Sequence, residues 1–359
     1  MAKWYNGEKI RAINADIEVT YGKRTNGKSY DDKKDSLEAF AKNGDEFFYL
    51  RRRLEEIKGV KINTYFSDMH TVLNELFNGR YADIVEYDVL ARGGEFYLIG
   101  YDKHYERHLF ERIGYYGALV QGEYLKSASF PKVTKLTFEE FLTRNVELED
   151  EFTKLQSIIS TVGRNRKHFR VRLIGNTVNQ NNQILRGMNI DPRKIDQGEL
   201  KVYDYYSDKG TRTRVAVEYC PSDEGDEENR FFNFGRQREA MIVNGEWETD
   251  AYRLYRDLPE NDITDQFVFT DGVIKVYVYV DANNLQMYVN NQRENTAGKY
   301  ITFSTDVTRL NRNTFNWSCD YKPVMNVKRA IKSIMNNGNV EFSSYLAADD
   351  FYYITNGRL

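Results

Sequence analysis

The residues with the clearest chemical potential form a glycine-rich loop near the start of the chain. Gly22, Gly27, Lys28 and Ser29 fit the spacing G-x-x-x-x-G-K-[ST] within the stretch VTYGKRTNGKSY. In such a loop the glycines let the main chain wrap a phosphate closely, the lysine neutralises phosphate oxygens, and the hydroxyl holds Mg²⁺. Composition alone produces such a match in roughly one chain in a hundred of this length. A polar surface turn is therefore the alternative, and the neighbouring elements must decide.

The segments on either side of the loop favour phosphate binding. Residues 10 to 21 are interpreted as a lead-in and a strand ending in DIEVTY, and KSYDDKKDSLEAFAKNG is typical of a helix closed by Asn43-Gly44. The order strand, loop, helix places the unpaired N–H groups of a helix N-terminus at the anion. We therefore predict a nucleotide-binding loop made of Gly22, Lys23, Arg24, Thr25, Asn26, Gly27, Lys28 and Ser29.

An acidic pair after a later strand could complete the site. Glu139 and Glu140 follow VTKLTF, and hydrolysis of a nucleotide needs one carboxylate for the metal and one to orient water. An acidic pair at this point can also begin a helix. Lys135 interrupts the apolar pattern that a buried central strand should have.

Arginines are concentrated in TVGRNRKHFR, which contains Arg164 and Arg166. The planar guanidinium of an arginine can stabilise charge on a transferring phosphoryl group, including that of a neighbouring subunit. A solvated patch or a DNA-facing patch would have the same composition. The residues alone do not decide between these interpretations.

The remaining pattern predicts an α/β domain followed by a smaller one. Strands are predicted at EFFYLRRR, EFYLIGY, FRVRLIGN and RVAVEYC, and helices over 62–80 and at EFTKLQSIISTVGRNR. The acidic stretch PSDEGDEENR is interpreted as a solvated loop at a domain boundary. From about residue 256 the pattern is rich in strands, with a hairpin turn at Asp281 to Asn284 and a later helix at PVMNVKRAIKSIMNNG. The predicted division is 1–221, a linker over 222–255, and 256–359.

Composition narrows the classes of protein. The 359 residues contain no apolar run long enough to span a membrane, and the N-terminus lacks a secretory signal, so a cytosolic chain is expected. The net charge of −3 means that any DNA binding must use locally concentrated Lys and Arg. Cys220 and Cys319 are expected to be buried thiols. His104 and His108 could share a helical face but lack the pattern of a metalloprotease, and Gly93-Gly94 is typical of a hairpin turn.

Four segments in order resemble the DNA-packaging ATPase of phi29-like bacteriophages, a small relative of the large terminases. GKRTNGKSY is similar to the glycine loop of that family, including its internal arginine, and EFFYLRRR to the strand with paired arginines. KSASFPKVTKLTFEEF resembles its loop and second phosphate motif, and TVGRNRKHFRVRLIGN its arginine finger and coupling strand. The resemblance implies a P-loop NTPase domain of the ASCE class with a central, mostly parallel sheet, followed by an RNase H-like α/β domain.

The resemblance also implies roles for individual residues. Lys28 and Ser29 would act on ATP and Mg²⁺ with Arg24 in the same loop, and Glu139 would hold the metal although the family prefers Asp there. The remaining implied roles are Glu140 as catalytic base, Arg164 as the finger on the adjacent subunit, Asn176 as γ-phosphate sensor and Lys126 as a DNA contact. The family's lysine that acts between subunits is replaced by Leu54, so that either Arg53 substitutes for it or the role is absent.

The implied function is an ATP-driven motor that moves double-stranded DNA into a viral procapsid. The expected assembly is a homo-oligomeric ring, taken as a pentamer, on the portal or connector in the host cytoplasm, with a structural RNA left open and no membrane. Scattered carboxylates (Asp271, Asp306, Asp349 and Asp350) favour a degenerate nuclease domain used for docking. The alternatives are a ring helicase or replication ATPase on the same core, and a non-catalytic nucleic-acid-binding protein.

Overall fold

The computed structural model describes residues 4–24, 26–143, 148, 150–164, 166–178, 182–221, 253–294, 296, 298–306, 308, 310, 314–337 and 339–355. The chain divides into two compact units, Met1–Glu248 and Thr249–Leu359, which are described separately. Thr25, the acidic loop over 222–230 and most of the predicted linker lie outside the described residues. Within the described part of the chain, no helix has the length and apolar character needed to cross a bilayer.

The first unit alternates strands and helices. Its strands are β1 Ile17–Gly22, β2 Glu46–Arg51, β3 Ile84–Arg92, β4 Glu95–Asp102, β5 Arg107–Ala118, β6 Val133–Glu139, β7 Arg170–Asn176, β8 Leu200–Tyr206 and β9 Arg212–Tyr219. Its helices are α1 Glu8–Ala12, α2 Lys28–Asn43, α3 Val60–Asn63, α4 His70–Phe77, α5 Gly122–Leu125, α6 Glu151–Gly163 and α7 Gln183–Gly187. Short 3₁₀ turns lie at Leu54–Ile57, Leu119–Gln121 and Pro192–Lys194.

The strands form one sheet in the order β3-β4-β5-β2-β6-β7-β1-β9-β8. From β5 to β9 in this order neighbouring strands are parallel, and antiparallel strands flank them on both sides. Because parallel strands end at the same edge of a sheet, the ends of β1, β6 and β7 meet. Gly22 is paired with Asn176, and Glu139 with Ile174. Strand β7 therefore separates the glycine-loop strand from the acidic strand.

Side chains that alternate across the sheet build a core on each face. Phe48 and Leu50 of β2 belong to the cluster under α6, whereas Phe47 and Tyr49 belong to the cluster that includes Leu37 of α2. The sheet is thus covered on both sides, which explains why most residues of its central strands are buried.

Helix α2 begins and ends at glycines, as predicted. Gly27 precedes it with φ of 96° and Gly44 follows it with φ of 73°. Both angles lie in the left-handed region that favours glycine. Lys135 of β6, which breaks the apolar pattern, pairs with Asp32 at 3.0 Å and Asp35 at 2.7 Å on this helix. The charged side chain therefore ties α2 to the sheet.

Some local predictions were wrong. The helix predicted over 62–80 is divided into α3 and α4, with turns between them, and α1, β3, β5 and β8 were not foreseen. His104 lies in a turn and His108 in β5, where its Nε2 is 3.1 Å from Asp102, so the two histidines share no helix. Gly93 and Gly94 do form the turn between β3 and β4.

The second unit is a six-stranded sheet with helices α8 Lys322–Asn336 and α9 Tyr345–Thr355. Its strands are β10 Asp265–Thr270, β11 Lys275–Asp281, β12 Gln286–Asn290, β13 Ile301–Ser304, β14 Thr314–Asn316 and β15 Val340–Phe342, with a 3₁₀ turn at Glu260–Asp262. The order is β14-β13-β10-β11-β12-β15. Strands β10, β11 and β12 form an antiparallel meander. On the other side of β10, β13 lies parallel to β10 and β14 lies parallel to β13. This is the strand order of an RNase H-like sheet.

The structure also shows the predicted hairpin turn and the burial of the two cysteines. The hairpin between β11 and β12 turns at Asp281 to Asn284, where Asp281 accepts hydrogen bonds from two main-chain N–H groups of the turn. Cys220 of the first unit is buried, as expected, whereas Cys319 is only partly buried.

Candidate nucleotide site

The glycine loop leaves β1 and enters α2, and its two glycines are needed for different reasons. Gly27 has a positive φ, and an added Cβ would also lie 3.3 Å from the ring of Trp4. Gly22 has an ordinary backbone conformation, but a Cβ there would come within 2.8 Å of the Cβ of Cys220. The first glycine therefore allows close packing beside β9, and the second allows the turn into the helix.

Lys28 is buried and makes its contacts within the loop. Its Nζ donates to the Lys23 carbonyl at 2.6 Å and the Asn26 Oδ1 at 3.1 Å, and lies 3.5 Å from the Asn176 Oδ1. Burial lowers the pKa of Lys28 to about 8. The ammonium thus stands where the ends of β1 and β7 meet, poorly solvated and available to a strong anion.

Ser29 and Glu139 lie in direct contact. The Ser29 hydroxyl donates to Oε1 of Glu139, and the Tyr49 hydroxyl donates to Oε2 of the same carboxylate at 2.8 Å. Burial and the neighbouring carboxylate raise the pKa of Tyr49 well above its usual range, so the phenol keeps its proton. The two segments that sequence reasoning assigned to one site, 110 residues apart in the chain, are therefore together in space.

Arg51 connects the two glutamates. Its Nη2 donates to Glu140 at 2.6 Å and to Glu56 at 3.2 Å, and its Nη1 lies 3.4 Å from Glu139. Glu140 has a φ of 55°, so the chain turns sharply there and directs the side chain away from the strand. One guanidinium at the end of β2 therefore holds both carboxylates of the acidic pair.

Arg52 points to the other face of the sheet and binds the main chain of the turn at Glu140. It donates to the main-chain oxygens of Glu140 at 3.0 Å and Phe141 at 2.6 Å. Its Nε and Nη2 also form a two-pronged contact with the Glu151 carboxylate, both at 2.8 Å, and both side chains are buried. The position of the main chain at Glu140 thus depends on a buried ion pair between the residue after β2 and the first residue of α6.

The helix-proximal part of the loop, the acidic pair and Asn176 line one cleft of 1080 Å³; Gly22 and Lys23 do not line it. This volume is large enough for a nucleoside triphosphate. Arg24 also lines the cleft, and its side chain is exposed. The hydroxyl and carboxylate oxygens of Ser29 and Glu139 are the hard ligands that Mg²⁺ prefers, with phosphate and water oxygens completing its coordination. Among the described residues no group of three or more His, Cys, Asp and Glu side chains could hold a metal by itself, so a cation here would depend on the phosphates.

The arginine cluster and Lys126 lie apart from this cleft. Arg164 ends α6 with an exposed side chain, and its Nη2 donates to the Ala128 carbonyl at 2.9 Å. Arg166 instead donates to the carbonyls of Val133 and Val162, both at 2.6 Å, so it fastens the start of β6. Lys126 is exposed and pairs with Glu123 at 2.5 Å. Neither Arg164 nor Lys126 lines the cleft of its own chain.

Three contributors escaped sequence reasoning: Tyr49, Arg51 and Arg52. The signal for the arginines was present, because EFFYLRRR ends a strand in a charge run. The sequence did not indicate that β2 pairs with β6. This pairing places Tyr49 opposite Thr137, two residues before Glu139.

A phosphate loop after β1, an acidic strand β6 and an additional strand β7 between them define a P-loop ATPase of the ASCE class. The chain belongs to the podovirus DNA encapsidation protein (Gp16) family, whose model matches residues 1–349. It is thus a DNA-packaging protein of a phage.

Individual relatives are distant but match along the whole chain. The chain is 23% identical over 357 residues to the DNA packaging protein of Bacillus phage PZA, covering 97% of this chain and 96% of that protein. The identity and coverage are the same for the DNA packaging protein of Bacillus phage phi29. A chain in the structure of the bacteriophage Phi-29 viral genome packaging motor assembly has a TM-score of 0.58 at 21% identity, with 99% of each chain covered. At this identity the structural likeness supports the fold alone.

Proposed function

We propose that this chain hydrolyses ATP to move double-stranded DNA into a viral procapsid. The observation that carries the proposal is the contact between Ser29 and Glu139, which joins the phosphate loop to the acidic strand. The relative named as a DNA packaging protein supports DNA as the molecule that is moved.

In the proposed reaction, water attacks the γ-phosphorus in line with the leaving oxygen. Lys28 neutralises charge on the phosphate oxygens, and the loop N–H groups at the start of α2 hold the triphosphate. Glu140 orients the attacking water and accepts its proton, and Asn176 contacts the γ-phosphate from β7. Mg²⁺, when bound, supplies charge neutralisation between the phosphates, with Ser29 and Glu139 as its protein ligands.

The second part of the proposal concerns assembly. Arg164 is exposed and away from its own cleft, which suits an arginine that reaches the γ-phosphate of an adjacent subunit in a homo-oligomeric ring. Arg24 would add positive charge within the phosphate loop. The ring is proposed to have five members and to sit at the portal vertex in the host cytoplasm, with or without a structural RNA. Lys126 would contact the DNA backbone without regard to sequence, so that binding is sensitive to salt.

The second unit is proposed to dock the motor rather than to cut DNA. Strand β10 has its only carboxylate at Asp265, its first residue, and β11 has its only one at Asp281, beside the hairpin turn. Neither position is in the middle of a strand, where adjacent carboxylates would share two metals.

The test is ATP hydrolysis with and without duplex DNA. Lys28→Ala should abolish turnover, because a buried ammonium at the phosphates is lost. Lys42→Ala, which removes an exposed lysine from the last turn of the same helix, is the matched control and should leave turnover unchanged. Undiminished turnover in Lys28→Ala would overturn the proposal.

Two further measurements separate the alternatives. Mixed rings of unaltered and Arg164→Ala subunits should lose activity more steeply than in proportion to the variant fraction, because each variant disables its neighbour. Strand separation with a preference for single strands would instead support the helicase alternative.

A further inference from the structure

Tyr49 makes a contact that neither phosphate binding nor proton transfer requires. Its hydroxyl donates to Oε2 of Glu139 at 2.8 Å, while the other oxygen of that carboxylate, Oε1, accepts from Ser29. A glutamate has one more rotatable bond than an aspartate, so its carboxylate plane is set only if both oxygens are held. The two hydroxyls hold one oxygen each.

Tyr49 is itself firmly placed. It is 4% exposed, and its ring lies against that of Tyr65 with centroids 4.1 Å apart. Its main chain is in the middle of β2, paired with Thr137 of β6. Because side chains two residues apart on a strand share a face, Thr137 and Glu139 both lie on the face of β6 that Tyr49 meets.

Arg51 makes a second, longer contact with the same oxygen. Its Nη1 lies 3.4 Å from Oε2 and 3.5 Å from the Tyr49 oxygen, while its Nη2 is bound to Glu140 at 2.6 Å. Loss of the phenol would leave Oε2 with only this longer contact, so the carboxylate would be free to turn and Oε1 would no longer be held toward Ser29.

We propose that Tyr49 is a positioning residue for cation binding: it holds Oε2 of Glu139 so that Oε1 and the Ser29 hydroxyl face the same point. The inference rests on the proposed function, since it assigns the cation to these two ligands. Tyr49 itself touches neither the cation nor the nucleotide.

The experiment titrates Mg²⁺ into the full chain with a fluorescent ADP and compares binding with that in EDTA. Tyr49→Phe should raise the Mg²⁺ concentration for half-maximal binding by about tenfold, as expected for loss of one hydrogen bond to a charged group. Binding in EDTA should be unchanged. A merely structural role would weaken binding under both conditions.

Two further variants keep the result interpretable. Tyr116→Phe removes a hydroxyl from the residue of β5 that pairs with Tyr49, on the side of β2 away from β6, and should leave the Mg²⁺ dependence unaltered. Glu139→Asp shortens the carboxylate by one methylene so that it cannot reach both hydroxyls, and adding Tyr49→Phe to it should change the Mg²⁺ dependence by less than about twofold.

The outcomes separate this inference from the proposed function. If the unaltered chain binds the nucleotide through Lys28 but Tyr49→Phe leaves the Mg²⁺ curve unmoved, the positioning role is wrong and the ATPase assignment stands. An equal effect of Tyr49→Phe in the unaltered chain and in the Glu139→Asp variant would also overturn the role. If the unaltered chain fails to bind ADP with Mg²⁺, the proposed function and this inference fail together.

Discussion

The buried pair between Arg52 and Glu151 offers a quantitative test of how the acidic turn is held. Arg52→Ala leaves the Glu151 carboxylate, which has no exposed surface, without its cation. Removing one partner of such a pair typically costs about 3–5 kcal/mol, because a buried charge remains uncompensated. The carbonyls of Glu140 and Phe141 lose a donor at the same time, adding to the loss. We expect a destabilisation in this range, together with reduced ATP turnover, since the main chain at Glu140 loses its contact with Arg52.

Hydrogen exchange of the amides in β6, followed by mass spectrometry, measures the effect within the first unit. Arg53→Ala, an exposed arginine one residue further on, is the control and should cost less than about 1 kcal/mol. Arg52→Met combined with Glu151→Leu should recover at least half of the lost stability, because the stranded charge is removed as well. A cost under about 1 kcal/mol for Arg52→Ala, or a double variant that is worse than the single one, would refute the reasoning.

Three other predictions follow from the site. The affinity for ATP should fall about tenfold between pH 7 and pH 9 because Lys28, with a pKa of about 8, loses its proton. Over the same range the free energy of unfolding of the nucleotide-free chain should rise, since folding favours the neutral amine. Calorimetric titration would check the fall in affinity and urea unfolding the rise in stability, each with Lys28→Met as control. Arg51→Gln should lower the turnover number more than it changes the affinity for ADP, because Glu140 loses its partner at 2.6 Å; equal effects in steady-state and binding assays would count against this. Gly27→Ala and Gly44→Ala each place an alanine at positive φ and should each cost about 1–2 kcal/mol, but only Gly27→Ala should also abolish nucleotide binding.

The parts of the candidate site that could be brought together from the sequence are those with local signals. The glycine loop, the acidic pair and Asn176 each follow a strand directly, and parallel strands bring such positions to one edge. The ends of α2 were predictable because each is a glycine that adopts a left-handed conformation. Four motifs in order carried the resemblance to the family, and the family model over residues 1–349 confirms it.

The parts that were missed depend on pairing between distant segments. Tyr49 and Arg51 act on Glu139 and Glu140 only because β2 lies beside β6, and a strand's own residues carry little information about its neighbour. Arg166 looked equivalent to Arg164 in the sequence, yet it is partly buried and donates to two carbonyls, whereas Arg164 is exposed and donates to one. The roles given to Arg164 and Lys126 stay predictions until subunits are seen together.

Consecutive residues at the end of strand β2, and the residue after it, face opposite sides of the sheet. Tyr49 and Arg51 meet the acidic pair, whereas Leu50 belongs to the opposite core and Arg52 reaches Glu151. A deletion of one residue inside Glu46–Arg51 would exchange these faces, moving the phenol and one guanidinium into apolar packing and the other guanidinium away from its carboxylate. The length of β2 therefore matters to the site as much as the identity of its residues.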